Sequence, residues 1–149
     1  MKTLVIYHSA YGNTEKIAKA IGEAIGGEVQ VVPVAEADAS QLKGLNLLIV
    51  GSPTYGGRPT PPLLEFLGKV PHAALEGTRV AAFDTRMGIV FAKIFGYAAG
   101  KIADSLKKSG GMLAMPPEGF IVKGREGPLK EGELERAAKW AKEVAAAAQ

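Results

Sequence analysis

Short, nearly unbroken apolar runs alternate along this chain with longer segments whose apolar residues recur every three or four positions. Thr3, Leu4, Val5, Ile6 and Tyr7 form the first run. It is too short for a helix and consists of residues that suit a buried strand. Ile17, Ala18, Ile21, Ala24 and Ile25 follow at helical spacing, which predicts an amphipathic helix from near Thr14 until Gly26 and Gly27 stop it. Residues 28–34 alternate and are rich in Val, the pattern of a second strand. Residues 35–43 are polar, with a short helix predicted near Ser40 and Gly44 closing the segment. Residues 45–50 are almost continuously apolar and read as a central strand covered on both faces.

Thr60 and Pro61 supply the N-cap and first position of another helix, whose apolar face is Leu63, Leu64, Phe66 and Leu67. A fourth strand is predicted over 79–84 and a helix over 98–109, with Ala99, Ile102, Ala103 and Leu106 inward. Residues 112–115 begin a fifth strand; Pro116 and Pro117 interrupt it, and Phe120, Ile121 and Val122 continue extended. The last helix covers 133–148 and is expected to bury Leu134, Ala137, Ala138, Ala141 and Val144. Strands alternating with helices predict an α/β fold: a doubly wound, five-stranded parallel sheet in the order 2-1-3-4-5, with helices on both faces.

The junction of the first strand and first helix carries Ser9, Ala10, Tyr11, Gly12, Asn13 and Thr14. A strand that turns through a small polar loop into a helix presents unpaired backbone N–H groups at the positive end of the helix dipole, where an anion is favoured. Ser9, Asn13 and Thr14 add side-chain donors, and Gly12 permits a turn conformation other residues resist. The same residue types serve equally as plain N-caps and turn formers, so both readings stand at this point. No Lys follows Gly12, as a nucleoside-triphosphate loop requires, and the G-x-G-x-x-G dinucleotide fingerprint is absent. What fits is a single terminal phosphate held by N–H and hydroxyl donors.

Composition narrows the chemistry. At 149 residues the chain is expected to form one domain spanning residues 1–149, and 47% hydrophobic with 22% charged residues is ordinary for a globular protein. With no Cys there is no disulfide, thiolate nucleophile or Cys-bound cluster, so any electron carried here needs an organic cofactor. No metal site is expected. A net charge of +3 and a pI near 9.1 are too mild to imply nucleic acid. No apolar stretch reaches the length of a membrane span and the chain opens on a strand pattern, so a cytoplasmic location is expected.

In its first loop, Ser9-Ala10-Tyr11-Gly12-Asn13-Thr14, the chain resembles the flavodoxin phosphate loop, commonly [ST]-x-[ST]-G-N-T, which holds the phosphate of FMN. Tyr11 departs from that pattern, and the basic pI departs from the usual acidity of flavodoxins. The loop after the third strand, with Gly51, Ser52, Pro53, Thr54, Tyr55, Gly56 and Gly57, resembles the second FMN loop of the same family. The resemblance implies a flavodoxin-like fold over the whole chain and non-covalent FMN. Pro53, Thr54, Tyr55, Gly56 and Gly57 would border the isoalloxazine, with Tyr55 on or beside it and a carbonyl of the Gly56–Gly57 region facing flavin N5. The third loop, Asp84-Thr85-Arg86-Met87-Gly88, would meet the pyrimidine end: Asp84 or backbone carbonyls accepting from N3, Thr85 and Arg86 donating to O2. Asp84 and Arg86 could instead pair with each other at the strand end.

The function so implied is electron transfer between redox partner proteins, an electron-donating reductase and an electron-accepting enzyme, with no catalytic side chain. His8 is expected to serve the loop rather than catalysis. The alternative is a small FMN-dependent NAD(P)H reductase of quinones or nitro compounds, or a flavoenzyme similar to protoporphyrinogen dehydrogenase, with residues 87–97 as the one candidate substrate wall. A flavin-free module on the same fold is a further reading. A receiver domain is excluded: it needs clustered acidic residues at the first strand's end, where Tyr7, His8 and Ser9 stand.

Overall fold

The computed structural model describes residues 1–88 and 97–149. Six strands and four α-helices follow one another among them: β1 (Lys2–Tyr7), α1 (Asn13–Ile25), β2 (Glu28–Pro33), β3 (Leu47–Pro53), α2 (Pro61–Gly68), β4 (Arg79–Met87), α3 (Ala98–Lys108), β5 (Met112–Leu113), β6 (Glu118–Val122) and α4 (Glu133–Ala147). The sheet is parallel, in the order β2-β1-β3-β4-β5, with β6 also paired to β4. The doubly wound order expected from the alternation is therefore the one observed.

The predicted fifth strand is present in two pieces on one neighbour. β5 pairs with Arg79 and Val80, whereas β6 pairs with Phe83 through Met87. Pro116 and Pro117 lie between the pieces; a proline donates no ladder hydrogen bond, so the edge is broken there and resumed beyond it. The short helix expected near Ser40 is a single 3₁₀ turn, Ala39–Leu42. Asp38 caps it by accepting the Ser40 N–H at 3.0 Å, and Gln41 accepts the Asp38 N–H at 2.7 Å in return.

The unbroken apolar runs of β1, β3 and β4 reflect burial on both faces. Leu4, Ile6, Leu48, Val50, Val80 and Ala82 point to one side, where they meet Leu63 and Phe66 of α2 and Ile102 and Leu106 of α3. Val5, Tyr7, Leu47, Ile49, Ala81 and Phe83 point to the other, against Ile17 and Ile21 of α1 and Ala137, Trp140 and Val144 of α4. On that side Phe83, Phe120 and Trp140 form an edge-to-face trio with centroids 6.0–6.2 Å apart. Gly51 is required beneath it, since a Cβ there would lie 2.1 Å from Cζ of Phe83.

Two core assignments are corrected. Leu64 of α2 and Leu134 of α4 are exposed, whereas Trp140 is buried. In the first turn of α4 the inward position belongs to Glu133, whose carboxylate accepts the Ile121 N–H at 2.7 Å and meets Arg136 Nε at 2.9 Å. A buried carboxylate that accepts three hydrogen bonds, one from Ile121 and two from Arg136, starts the stripe that Ala137, Trp140, Ala141 and Val144 continue, and this rotates Leu134 toward solvent.

Candidate functional site

The carboxyl ends of β1, β3 and β4 open into a cleft of about 390 Å³, a size that suits a small organic ligand. It lies at the point where the strand order reverses, the general position for ligands in open α/β sheets. Ser9, Ala10, Tyr11, Asn13 and Thr14 line it from the first loop, Pro53, Thr54, Tyr55, Gly56 and Gly57 from the second, and Thr85 from the third. Met87, the first residue of the stretch offered as a wall, lines it too, and Val122 and Arg125, which were not anticipated as site residues, complete the lining.

The first loop is set by Gly12 and Ser9. Gly12 is the N-cap of α1 with φ +91°, so a Cβ would be strained there. The Ser9 hydroxyl accepts the Gly12 N–H at 3.0 Å and the Glu15 N–H at 3.3 Å. Among the described residues, the backbone N–H groups of Tyr11, Asn13 and Thr14 make no hydrogen bond. Polar groups that end next to a cleft without a protein acceptor are suited to an anionic guest. Thr14 is buried and its Oγ1 lies 2.8 Å from Thr85 Oγ1.

The second loop is a tight hairpin. Tyr55 and Arg58 exchange backbone hydrogen bonds at 3.0 and 3.1 Å across Gly56 and Gly57, whose φ values of +58° and +77° are those a type I′ turn needs. Its base is tied by the buried Ser52 hydroxyl, which accepts the Thr60 N–H at 3.1 Å. Lys101 Nζ donates to the Gly57 carbonyl at 2.5 Å. Tyr55 stands on the cleft wall with the Arg125 guanidinium 5.3 Å from its ring centre. Burial pushes its phenol pKa up, opposed in part by Arg125.

Asp84 and Arg86 do not line this cleft. Asp84 is fully buried and accepts from Arg86 Nε at 2.7 Å and Nη2 at 2.8 Å, and from the Ala99 N–H at 2.9 Å. Arg86 stacks on Tyr97, 3.3 Å from the ring centre, and packs so closely on Gly119 that a Cβ there would lie 2.1 Å from Arg86 Cζ. Burial raises the Asp84 pKa, against the pull of Arg86 and the Ala99 N–H. Thr54 Oγ1 accepts the Ala98 N–H at 3.0 Å. Asp84 and Thr54 together therefore satisfy the first two donors of α3, which capping by the extended Tyr97 leaves without a side-chain partner.

His8 lies on the far side of the first loop, away from the cleft, and burial holds its imidazole below the ordinary value. The apolar residues 89–96, including Phe91, fall outside the described residues. Arg125 carries the one sequence signal that could have found it: it sits between Gly124 and Gly127 in the loop that follows the last strand, at the same end of the sheet as the other three loops. Among the described residues, no helix is long and apolar enough to cross a membrane, and no cluster of His, Asp or Glu is arranged to hold a metal ion.

Residues 4–110 match the family model of the flavodoxin domain. The chain is 28% identical to Flavodoxin 1 of Salmonella typhimurium, over 97% of this chain and 93% of that protein. Two solved structures are similar throughout, each at 25% identity with a TM-score of 0.82. One is a flavodoxin from the domain Archaea, covering 99% of both chains. The other is oxidised Flavodoxin 2 from Bacillus cereus, covering 98% of this chain and 99% of that one.

Proposed function

The chain belongs to the flavodoxin family, whose members bind FMN, and from that premise we propose that it holds FMN in the cleft described above and carries electrons between redox proteins in the cytoplasm. The observation that carries this reading is the convergence, at one switch-point cleft, of three uncommitted N–H donors, on Tyr11 of the first loop and on Asn13 and Thr14 of α1, with the Tyr55–Gly56–Gly57 hairpin.

FMN, when bound, supplies the one- and two-electron chemistry. The chain's part is to bind and orient it. Tyr11, Asn13 and Thr14 present N–H groups to the phosphate at the positive end of α1. Ser9 holds that turn in place through Gly12 and Glu15. Tyr55 offers an aromatic face to the ring, and Pro53, Thr54, Gly56 and Gly57 border it on the same loop. The Gly57 carbonyl is held by Lys101, and among the described residues the Gly56 carbonyl accepts no hydrogen bond, which leaves it for the flavin edge. Thr85 is the residue of the third loop that faces the ligand; Asp84 and Arg86 work behind it, fixing the start of α3.

The described lining of the cleft contains no carboxylate, imidazole or amine. General acid–base chemistry on a second substrate draws on such groups or on phenols, of which the lining holds Tyr11 and Tyr55, whereas electron transfer needs only a held cofactor with an accessible edge. This favours a carrier over an NAD(P)H-dependent reductase. The deciding experiment is an absorption spectrum of the purified protein with added FMN, followed by reduction. Bound flavin that a partner reductase reduces, and that NADPH alone leaves oxidised, supports the carrier. A protein that stays colourless with FMN present sinks the reading, and rapid reduction by NADPH alone turns it into an enzyme.

A further inference from the structure

We propose that Arg125, on the turn that follows β6, is a phosphate-binding residue of this cleft and supplies the positive charge for the anionic group of its ligand; the proposal rests on the FMN reading above. Among the described residues lining the cleft, Arg125 alone carries a charge. The first loop, residues 9–14, contains no Lys or Arg, so the start of α1 meets a phosphate dianion with neutral donors only. Nor does Arg125 form an ion pair with any carboxylate among the described residues.

The backbone explains how a residue near the end of the chain reaches that place. Val122 and Leu129 form an antiparallel bridge, the Lys123 N–H donates to the Pro128 carbonyl at 2.9 Å, and the Gly127 N–H donates to the Gly124 carbonyl at 3.0 Å. The turn so closed folds back over the first residue of α1. At Gly127, with φ +104°, a Cβ would come within 2.6 Å of Asn13 Oδ1. Two positions earlier the Arg125 guanidinium lies 5.3 Å from the ring centre of Tyr55. One short turn therefore touches the anion-binding end of the cleft through Gly127 and the aromatic wall through Arg125. A guanidinium presents a planar fork of donors that matches phosphate oxygens, and its long stem lets it swing from the Tyr55 face to a phosphate at the α1 terminus.

The test compares FMN with riboflavin, which lacks the phosphate, by fluorescence titration of the wild type, Arg125→Ala and Arg125→Lys at low and high salt. Arg125→Ala is expected to weaken FMN about tenfold, the worth of one charge-assisted contact, and to leave riboflavin little changed. Arg125→Lys, which keeps the charge without the fork, should fall between. The salt dependence of FMN affinity should flatten in Arg125→Ala, because the screened interaction is gone. Equal losses for both flavins would place the guanidinium on the ring and overturn the proposal, as would an Arg125→Ala protein that binds FMN as tightly as the wild type. A wild type that ignores both flavins overturns the FMN reading itself, and this proposal with it.

Discussion

Thr14 Oγ1 and Thr85 Oγ1 stand 2.8 Å apart, 71 positions apart in the chain, and this one contact joins the first turn of α1 to the end of β4. Both residues are buried. A hydroxyl has one proton and two acceptor sites. If Thr85 donates to Thr14, the Thr14 proton is released toward the cleft, where the phosphate is proposed to sit. Thr14→Val should then weaken FMN about tenfold and riboflavin little. Thr85→Val leaves the buried Thr14 oxygen without its partner and is expected to cost about 1–3 kcal/mol of stability. The double variant Thr14→Val/Thr85→Val should regain part of that stability but none of the FMN affinity. Urea denaturation and fluorescence titration on the three variants check both halves.

Tyr55 is expected to stack on the flavin ring and quench its emission. Tyr55→Ala should weaken FMN and riboflavin alike, by about 1 kcal/mol, and make the bound flavin brighter. Dark bound flavin at unchanged affinity would show that the ring lies against another wall.

Arg86 bears on stability more than on the flavin's potential. Its guanidinium is spent on the buried Asp84 carboxylate and on the Tyr97 ring, so the charge a flavin would feel is largely cancelled. Arg86→Ala should shift the potential by less than the roughly 59 mV of a tenfold change in a one-electron equilibrium. It should destabilise the fold markedly, because the Asp84 charge is left buried with only backbone and hydroxyl partners. Redox and urea titrations separate the two effects; a large potential change at unchanged stability would contradict this arrangement.

Glu133 should make the protein acid-sensitive. Hydrogen bonds from Arg136, joined by the Ile121 N–H, hold its pKa below the ordinary carboxylate value in the folded state. A depressed folded pKa contributes stability above the unfolded value, lost as pH falls through the folded one. The stability difference between the wild type and Glu133→Gln should therefore be largest near neutral pH and shrink in acid. Urea midpoints of both proteins at neutral pH and at about pH 3 measure it. A difference that grows in acid would assign the opposite shift.

The order of elements, the parallel sheet and three of the four loops that line the cleft could be read from the chain itself. Those features depend on local periodicity and on glycines at turns, and local constraints survive in one dimension. Tyr55-Gly56-Gly57-Arg58 is a hairpin because two consecutive positions need positive φ, a requirement written in the residues themselves. What packing alone decided concerns side chains with more than one available partner. Asp84 and Arg86 had the flavin edge and each other to choose from. Burial of Asp84 under the start of α3 makes an unpaired charge costly, so they chose each other. Leu134 lost the inward position to Glu133 because the carboxylate found Ile121 and Arg136 there. Arg125 joined the cleft through a turn that folds back on Asn13, a contact across more than a hundred residues that no periodicity encodes.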